Sequence, residues 1–257
     1  MGRYVGEPIE SWGEYLYVKT NAVDLFTIEL ERLRRRRTDA TILLSSVTDP
    51  YVGYEAKYKL TRGILTEANR QRYPGPIGIL TKSPLVLRDL NLLQNLPDVD
   101  VGVTVTTTED TISRFLEVRA PPASARIKTL QKLTAENIPT YAFIGPLLPH
   151  FRYHEDLLDD LLGSIATAGV KSVYVEHMNL RAYIRKRLWK TIEHEPPEIQ
   201  AVYRAAETDE HRRALDVMVT RLLRKHGLKL RLDEVLYHPK DRNTGATKPE
   251  QVGRKLP

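Results

Sequence analysis

Five short apolar segments alternate with helix-like segments between residues 40 and 178, and this alternation constrains the fold more than any other feature of the sequence. The apolar segments lie at residues 40–47, 75–81, 99–107, 138–149 and 170–178. Short, mostly continuous apolar runs are typical of strands buried on both faces. Because parallel neighbours need crossover helices between them, the alternation predicts an α/β fold with a parallel sheet.

Helix-boundary residues separate the predicted strands. Ser83 is expected to cap a helix that has Pro84 at its first position, and Gly169 is expected to end another. A first helix is predicted from Ala22 to about Arg36, and we interpret the arginine run at residues 34–37 as its solvated end. The later helices of the alternating region are predicted at residues 54–71, 83–96, 122–137 and 154–169.

The sequence becomes purely helical in pattern and strongly charged after Met178. Residues 238–257 are rich in Lys, Arg, Gly and Pro, a composition typical of mobile tails. We therefore expect an α/β core at residues 1–180, an appended helical region at residues 181–237 and a flexible basic tail at residues 238–257.

The composition limits the kinds of site that these residues can form. Lys and Arg outnumber Asp and Glu by 39 to 33, and the formal net charge of +6 favours approach to a polyanion such as nucleic acid. The sequence contains no Cys, which excludes disulfides, thiol catalysis and thiolate metal sites from it. It has neither a secretory signal pattern nor an apolar run of about 18 residues, so we expect no membrane partner and a cytoplasmic location.

Polar residues gather where each predicted strand ends. These are Thr48-Asp49, Thr81-Lys82, residues 104–108, Gly145-Pro146 and Glu176-His177. In barrels and open α/β sheets, the functional site lies at the carboxyl ends of the strands. The sequence therefore predicts a site at this edge of the sheet.

Six segments resemble, in order and spacing, the spore photoproduct lyase-like branch of the radical S-adenosylmethionine (radical SAM) proteins. They are KTNA at 19–22, SSVTDPYVGYEAKYKLTRGIL at 45–65, ILTKSPLVLRDLNLL at 79–93, VGVTVTT at 101–107, LEVRAPPASARIKTLQKL at 116–133 and IPTYAFIGPLLP at 138–149. The resemblance implies a partial α/β barrel of six strands. It also implies S-adenosylmethionine (AdoMet) as a cofactor and a [4Fe-4S] cluster held by a CxxxCxxC loop, which reduces AdoMet to a 5′-deoxyadenosyl radical.

The sequence departs from that family at the cluster. It begins about where the family's cysteine loop ends, and it has five predicted core strands where the family has six, so we expect a partial barrel that lacks its first strand. Either the cysteines are encoded upstream of Met1, or the protein has lost the cluster and kept the scaffold. As written, the sequence cannot ligate the cluster.

The resemblance also implies roles for residues at the strand ends. Thr48 and Asp49 would meet the methionyl end of AdoMet, with its ammonium group on Asp49 or on nearby carbonyls. Lys82 would contact the methionyl carboxylate, and Thr104, with Thr106 on the same strand face, would meet a ribose hydroxyl. The remaining candidates for cofactor binding are Glu117, Arg126 and Gly145, of which Gly145 would let the backbone approach adenine. No catalytic residue and no metal ligand is assigned.

Each of these residues also has a structural interpretation. Residues 48–50 could simply be a turn, Lys82 a surface lysine, and Thr104 a β-branched residue that suits a strand. Arg126 could pair with Glu117 as scaffolding. Val118 stands where the family commonly has proline, which leaves the shape of that loop in doubt.

Other motifs are interpreted structurally. Arg88 and Asp89 are expected to form an ion pair, and the histidines at 150, 154 and 177 are expected at the surface because they lack metal-ligand spacing. Tyr51, Tyr54 and Tyr58 share a predicted helical face, which favours packing over base stacking.

Three hypotheses for function remain open at this point. The first is a radical SAM enzyme whose complete form abstracts hydrogen from a substrate that could be nucleic acid. The second is a cluster-free barrel that binds AdoMet, another nucleotide or nucleic acid. The third is an inactive truncated fragment that exposes an unpaired sheet edge.

Overall fold

A parallel six-stranded sheet forms the centre of the computed structural model, which describes residues 6–8, 11, 13–36, 40–44 and 47–237. The strands are β1 (Ile42–Leu44), β2 (Ile77–Thr81), β3 (Val99–Thr104), β4 (Thr140–Leu147), β5 (Ser172–His177) and β6 (Lys229–Leu230). They lie in sequence order, and every neighbouring pair is parallel. The predicted parallel α/β fold is therefore confirmed, and each crossover leaves the strand carboxyl ends on one edge.

The helices connect these strands. They are α1 (Ala22–Arg36), α2 (Glu55–Tyr58), α3 (Leu60–Arg70), α4 (Leu90–Gln94), α5 (Asp110–Leu116), α6 (Ala123–Ala135), α7 (Glu155–Thr167), α8 (Ala182–Thr191), α9 (Pro197–Ala205) and α10 (Asp209–Lys225). Two 3₁₀ helices span Pro84–Asp89 and Pro149–Arg152. The capping predictions hold, because the Ser83 side chain accepts a hydrogen bond from the Leu85 N–H and Gly169 has a φ of 88°.

Two predicted helices are interrupted, and one helix was not predicted. The helix expected at 54–71 breaks at Lys59, whose φ of 52° is left-handed and cannot continue a helix. The helix expected at 83–96 begins as a 3₁₀ turn and becomes α4 only at Leu90. The short helix α5 forms after β3, where no helix was predicted.

The sheet alternates between two kinds of face. One face carries Ile79, Val101 and Ile144, which are fully buried in the main hydrophobic core with the helices. Complete burial of such a side chain contributes roughly 1.5–3 kcal/mol. The other face carries glycine and aromatic residues, and a Cβ on Gly102 would lie 2.2 Å from the Tyr141 ring. Glycine is therefore required there, because the ring fills the space of a side chain.

The region after Met178 is not purely helical, as the sequence pattern had suggested. After α10 the chain returns to the sheet as β6, which pairs with β5 through Ser172↔Lys229 and Val173↔Leu230. Arg231 then pairs with Asp100 at 2.6 Å and lies over the Tyr141 ring at 4.5 Å. This contact anchors the end of the helical region against the sheet.

Some predictions fall outside the described residues. These are the end of the first predicted strand at 45–46, Arg37 and the tail at 238–257. Within the described part of the chain, none of the helices is both long and apolar enough to cross a bilayer.

Candidate functional site at the strand carboxyl ends

Asp49 joins the carboxyl ends of β1 and β2. Its Oδ1 accepts hydrogen bonds from the Tyr51 N–H (2.8 Å) and the Thr81 hydroxyl (2.7 Å), and its Oδ2 accepts one from the Lys82 N–H (2.6 Å). The Thr81 hydroxyl in turn accepts from the Ser83 N–H at 2.9 Å. A turn therefore begins at Asp49, whose carbonyl accepts the Val52 N–H at 3.3 Å, so the structural interpretation of residues 48–50 holds only in part. The turn holds a carboxylate between two strand ends.

A buried ion network holds the chain that follows this turn. Glu55 accepts hydrogen bonds from the backbone N–H groups of Thr61 and Arg62, both at 3.1 Å, and so caps the first turn of α3. Arg88 pairs with both Glu55 and Asp89 at 2.9 Å. The predicted Arg88–Asp89 ion pair is confirmed. The charges of this network balance, because the carboxylates of Glu55 and Asp89 pair with the guanidinium groups of Arg88 and Arg62.

Glu117 connects Lys82 to Arg126. Its Oε1 pairs with the Lys82 ammonium group, and its Oε2 accepts a hydrogen bond from Arg126 Nη1 at 2.6 Å. The Thr106 hydroxyl lies 3.4 Å from the same Oε2. Arg126 also donates to the carbonyls of Thr104 (3.4 Å) and Pro121 (2.7 Å). One carboxylate thus sits between two cations at the ends of β2 and β3.

The electrostatics of this cluster keep Glu117 ionised. Burial raises the pKa of Glu117, but the charges and hydrogen bonds of Lys82 and Arg126 outweigh burial, so its pKa lies below the usual range. Arg126 is 1% exposed, and its Nη2 is a buried nitrogen without a hydrogen-bond partner among the described residues. The Lys82 side chain keeps 34% of its surface exposed, so it is the part of the cluster that solvent reaches most easily.

Six of the eight predicted binding residues are linked by direct contacts. Asp49, Lys82, Thr104, Thr106, Glu117 and Arg126 form this strand-end network. Thr48 is exposed and directly precedes Asp49. Gly145 is in β4, where a Cβ would lie 2.0 Å from the Phe143 ring. The Phe143 ring therefore occupies the space that the missing side chain of Gly145 leaves open.

Two contributors were not among the predicted site residues. Thr81 binds the Asp49 carboxylate, and the only sequence signal for it is its position beside Lys82 at a strand end. Phe143 is half-buried and pairs in register with Thr104, so it lies beside the strand-end network on the glycine-rich face. An apolar strand pattern does not predict that the Phe143 ring packs against Gly145, because this contact depends on tertiary structure.

The expectation of surface histidines is wrong for two of the three. His150 and His177 are buried, and only His154 is exposed. His150 Nδ1 lies 3.2 Å from the Tyr203 hydroxyl, and His177 Nε2 lies 2.7 Å from Asp216 Oδ1. Burial, followed by the nearby His154, lowers the pKa of His150 to about 4. Among the described residues no group of three His, Asp or Glu side chains could hold a metal ion.

The three tyrosines do not share one environment either. Tyr51 is fully buried, whereas Tyr54 and Tyr58 are 60% and 40% exposed. The predicted shared helical face is therefore wrong, because α2 begins only at Glu55 and the helix breaks after Tyr58. Core packing holds for Tyr51, and interface packing of Tyr54 and Tyr58 stays a prediction.

Comparison with known proteins places this geometry in context. No family model matches the chain. An uncharacterized protein of Methanocaldococcus jannaschii is 33% identical over 66% of the chain, and one of Mycobacterium tuberculosis is 32% identical over 73% of it. The matches cover 60% and 55% of those proteins, so the chain spans little more than half the length of these curated relatives. An uncharacterized protein of Acidianus two-tailed virus is 29% identical over 88% of the chain.

Solved structures decide the fold. Spore photoproduct lyase complexed with dinucleoside spore photoproduct matches 84% of this chain and 67% of its own, with a TM-score of 0.60 and 13% identity. The chain has a radical SAM fold. The SuiB protein of Streptococcus suis bound to S-adenosylmethionine also matches, over 87% of this chain and 43% of its own, with a TM-score of 0.50 and 9% identity. In this radical SAM fold the strand-end network occupies the edge at which α/β sheets bind ligands.

Proposed function

We propose that this chain binds AdoMet at the carboxyl ends of β1, β2 and β3. The observation that carries the proposal is the strand-end network, which brings together Asp49, Lys82 and Glu117 from the connections after β1, β2 and β3, and Arg126 from α6. Two structural neighbours support the ligand class, since a structure of spore photoproduct lyase contains AdoMet and the SuiB structure contains S-adenosylmethionine.

Asp49 has capacity left for the ammonium group of AdoMet. A carboxylate offers about four lone-pair positions, and Asp49 uses three for the Tyr51, Thr81 and Lys82 donors. The fourth would accept the ammonium group. The three protein donors fix the carboxylate in place, so the ligand would meet a pre-organised acceptor.

Lys82 and Glu117 would orient the rest of the ligand. Lys82 keeps its ammonium group partly exposed and would share it between Glu117 and the methionyl carboxylate. Thr104 and Thr106 would offer hydroxyl groups to the ribose, and the Phe143 ring, which packs over Gly145, would lie beside the adenine ring. Arg126 would act through Glu117, because its guanidinium group is almost entirely buried.

The residues of this chain do not fit a [4Fe-4S] cluster. Radical SAM clusters are held by three thiolates, and these 257 residues contain no Cys. Hydrogen abstraction by the whole protein, from nucleic acid or from another substrate, would need cluster ligands that this sequence does not contain.

Calorimetric titration of the folded chain with AdoMet tests the proposal. Heat of binding should be lost in Asp49→Asn and strongly reduced in Lys82→Met, while Asp156→Asn, an exposed carboxylate on α7, should bind as wild type. Each variant is first checked for folding by circular dichroism. A folded wild-type chain that gives no binding heat at millimolar AdoMet would refute the proposal.

A cluster-free barrel that binds another nucleotide or a nucleic acid is the second candidate. The net charge of +6 favours it. Titration with adenosine nucleotides in the same experiment separates it from AdoMet binding. The third candidate, an inactive fragment, rests on the position of β1 at the sheet edge, where Leu43 is 58% exposed. Aggregation of the isolated chain at micromolar concentration would support that candidate.

A further inference from the structure

The helix α8 has no buried side chain. It follows the carboxyl end of β5, at the edge of the sheet where the strand-end network lies, and none of its ten residues is buried. Isolated helices of this length are marginal in water, so α8 depends on the few contacts that it makes. These include the Arg185–Glu207 ion pair at 2.9 Å and Arg204 over the Trp189 ring at 5.4 Å.

The charge of α8 is one-sided. Residues 181–190 carry five cations and no Asp or Glu, the cations being Arg181, Arg185, Lys186, Arg187 and Lys190. Lys186 and Lys190 are exposed, lie one helical turn apart, and make no hydrogen bond or ion pair with any described residue. Like charges at this spacing repel, and the first turn of α8 has no acidic residue to complement the helix dipole. A bound polyanion would reduce the repulsion between the two lysines and would interact favourably with the positive end of the helix dipole.

We propose that α8 is a docking surface for the phosphate backbone of a nucleic acid, outside the strand-end network. Closely spaced lysines match a ligand whose negative charges recur along a strand, and phosphate contacts need no sequence-specific partner. A membrane surface fits less well. Helices that lie on bilayers insert an apolar face, and none of the large hydrophobic side chains of α8 is among the exposed ones of the described chain.

Salt-dependent binding measures this contact directly. The probes are fluorescein-labelled single-stranded and duplex oligonucleotides, and fluorescence anisotropy gives the affinity between 50 and 200 mM salt. Lys186→Gln with Lys190→Gln should lower the slope of log affinity against log salt by roughly 1.4 on single strands and 1.8 on duplex. At 0.1 M salt this corresponds to a loss of affinity of roughly 25- to 60-fold.

A matched control exists on α6. Lys128 and Lys132 are also exposed, also lie one turn apart, and also make no hydrogen bond or ion pair with any described residue. Lys128→Gln with Lys132→Gln removes the same charge and should leave affinity and slope close to wild type. Equal losses in both double variants would overturn the proposal, because binding would then depend only on net charge.

Two further results would also overturn it. One is the absence of oligonucleotide binding by the folded wild-type chain at 50 mM salt. The other is binding to phosphatidylserine vesicles that depends on Lys186 and Lys190 while oligonucleotide binding does not. The α8 variant should still bind AdoMet as wild type does. If the wild type binds oligonucleotides through α8 but gives no heat with AdoMet, the proposed function fails and the α8 surface stands.

Discussion

The carboxyl edge of the sheet has two halves with opposite electrostatics. At the ends of β1–β3 the polar groups are ionised and paired, as in the Glu117 carboxylate between Lys82 and Arg126. At the ends of β4 and β5 the buried groups include histidines, and burial lowers the pKa of both His150 and His211. The edge thus holds charge in its first half and disfavours it at these two rings, because His150 and His211 have no carboxylate partner among the described residues, whereas His177 pairs with Asp216.

The two halves of the sheet edge differ because different elements position their polar side chains. Lys82 directly follows β2, and Glu117 follows the short helix α5 in the connection after β3, so both can reach the same space. His150 and His211 lie where α9 and α10 cover the 3₁₀ turn Pro149–Arg152, and each has a buried Nε2 without a hydrogen-bond partner among the described residues. The helices α9 and α10 exclude water from His150 and His211 but place no carboxylate beside either ring. The first half is therefore suited to bind charged ligands and the second to pack the helical region.

The largest expected effect comes from Arg126→Met. The change leaves Glu117 largely buried with one cation fewer, and removal of one partner of a buried ion pair costs about 3–5 kcal/mol. Urea unfolding measures this cost. Arg221→Met breaks the exposed pair with Glu155, which solvent screens, and should cost far less. Similar losses in both variants would show that the two pairs do not differ as their burial implies.

Asp49→Asn should have the next largest effect on stability. The amide keeps one acceptor oxygen but points an NH₂ group at the Lys82 N–H or at the Thr81 hydroxyl, which both donate to the carboxylate. Loss of charged hydrogen bonds of this kind costs about 1.5–3 kcal/mol. Thr81→Val removes only one of the three donors and should cost about 1 kcal/mol. A stability loss for Asp49→Asn no larger than that for Asp156→Asn would contradict the role of Asp49 as a link between strands.

Mild acid should weaken the histidine half first. The folded-state pKa of His150 is about 4, below the unfolded value near 6.5, so its contribution is complete above pH 6.5 and is lost as the pH falls toward 4. The expected slope approaches about 1.4 kcal/mol per pH unit within that window. Unfolding free energies measured from pH 7 to pH 5 should show this slope in wild type and a smaller slope in His150→Phe.

The charged half should respond only at lower pH. Glu117 has a lowered folded-state pKa, so its stabilising pairs are complete above the ordinary glutamate value and are lost as the pH falls through the folded pKa. Glu117→Gln should therefore leave the slope between pH 7 and pH 5 unchanged. A change of slope in this window on substitution of Glu117 would mean that the two halves are not electrostatically separate.

A small effect on stability is expected from Tyr203→Phe. The substitution removes the hydroxyl that hydrogen-bonds to His150 Nδ1 and leaves the ring in place. Loss of one neutral hydrogen bond costs about 1 kcal/mol. Equilibrium unfolding at pH 7 measures it, and a loss above about 3 kcal/mol would indicate that the hydroxyl does more than bond to this ring.

More of the fold than of the site could be predicted from the sequence. The strands β2 to β5 were predictable because apolar runs between helix signals are local patterns. The strand β6 has two residues, too few to give a pattern, and is specified by pairing with β5 and by the contact of Arg231 with Asp100. The break at Lys59 depends on a backbone angle that no residue preference indicates for lysine.

The site residues were predictable as a set but not as pairs. Their position after strands placed them on one edge, and the structure links six of them. The pairing of Lys82 with Glu117 joins residues 35 positions apart, and tertiary packing alone determines it. The burial of His150 and His177 was missed for the same reason, since a histidine beside a strand end gives no local sign of the helix that will cover it.

The return of the chain as β6 has a practical consequence for protein engineering. The helices α8–α10 leave the sheet at β5, and the chain comes back at the strand beside it, held by the Arg231 N–H on the Val173 carbonyl and the Leu236 N–H on the Val175 carbonyl. The helical region is therefore an insertion between two adjacent strands, and α10 also supplies Leu215, Val219 and Leu222 to the main core. A shorter crossover between His177 and Lys229 would keep both strands only if it replaced this apolar face, whereas truncation at His226 would remove β6.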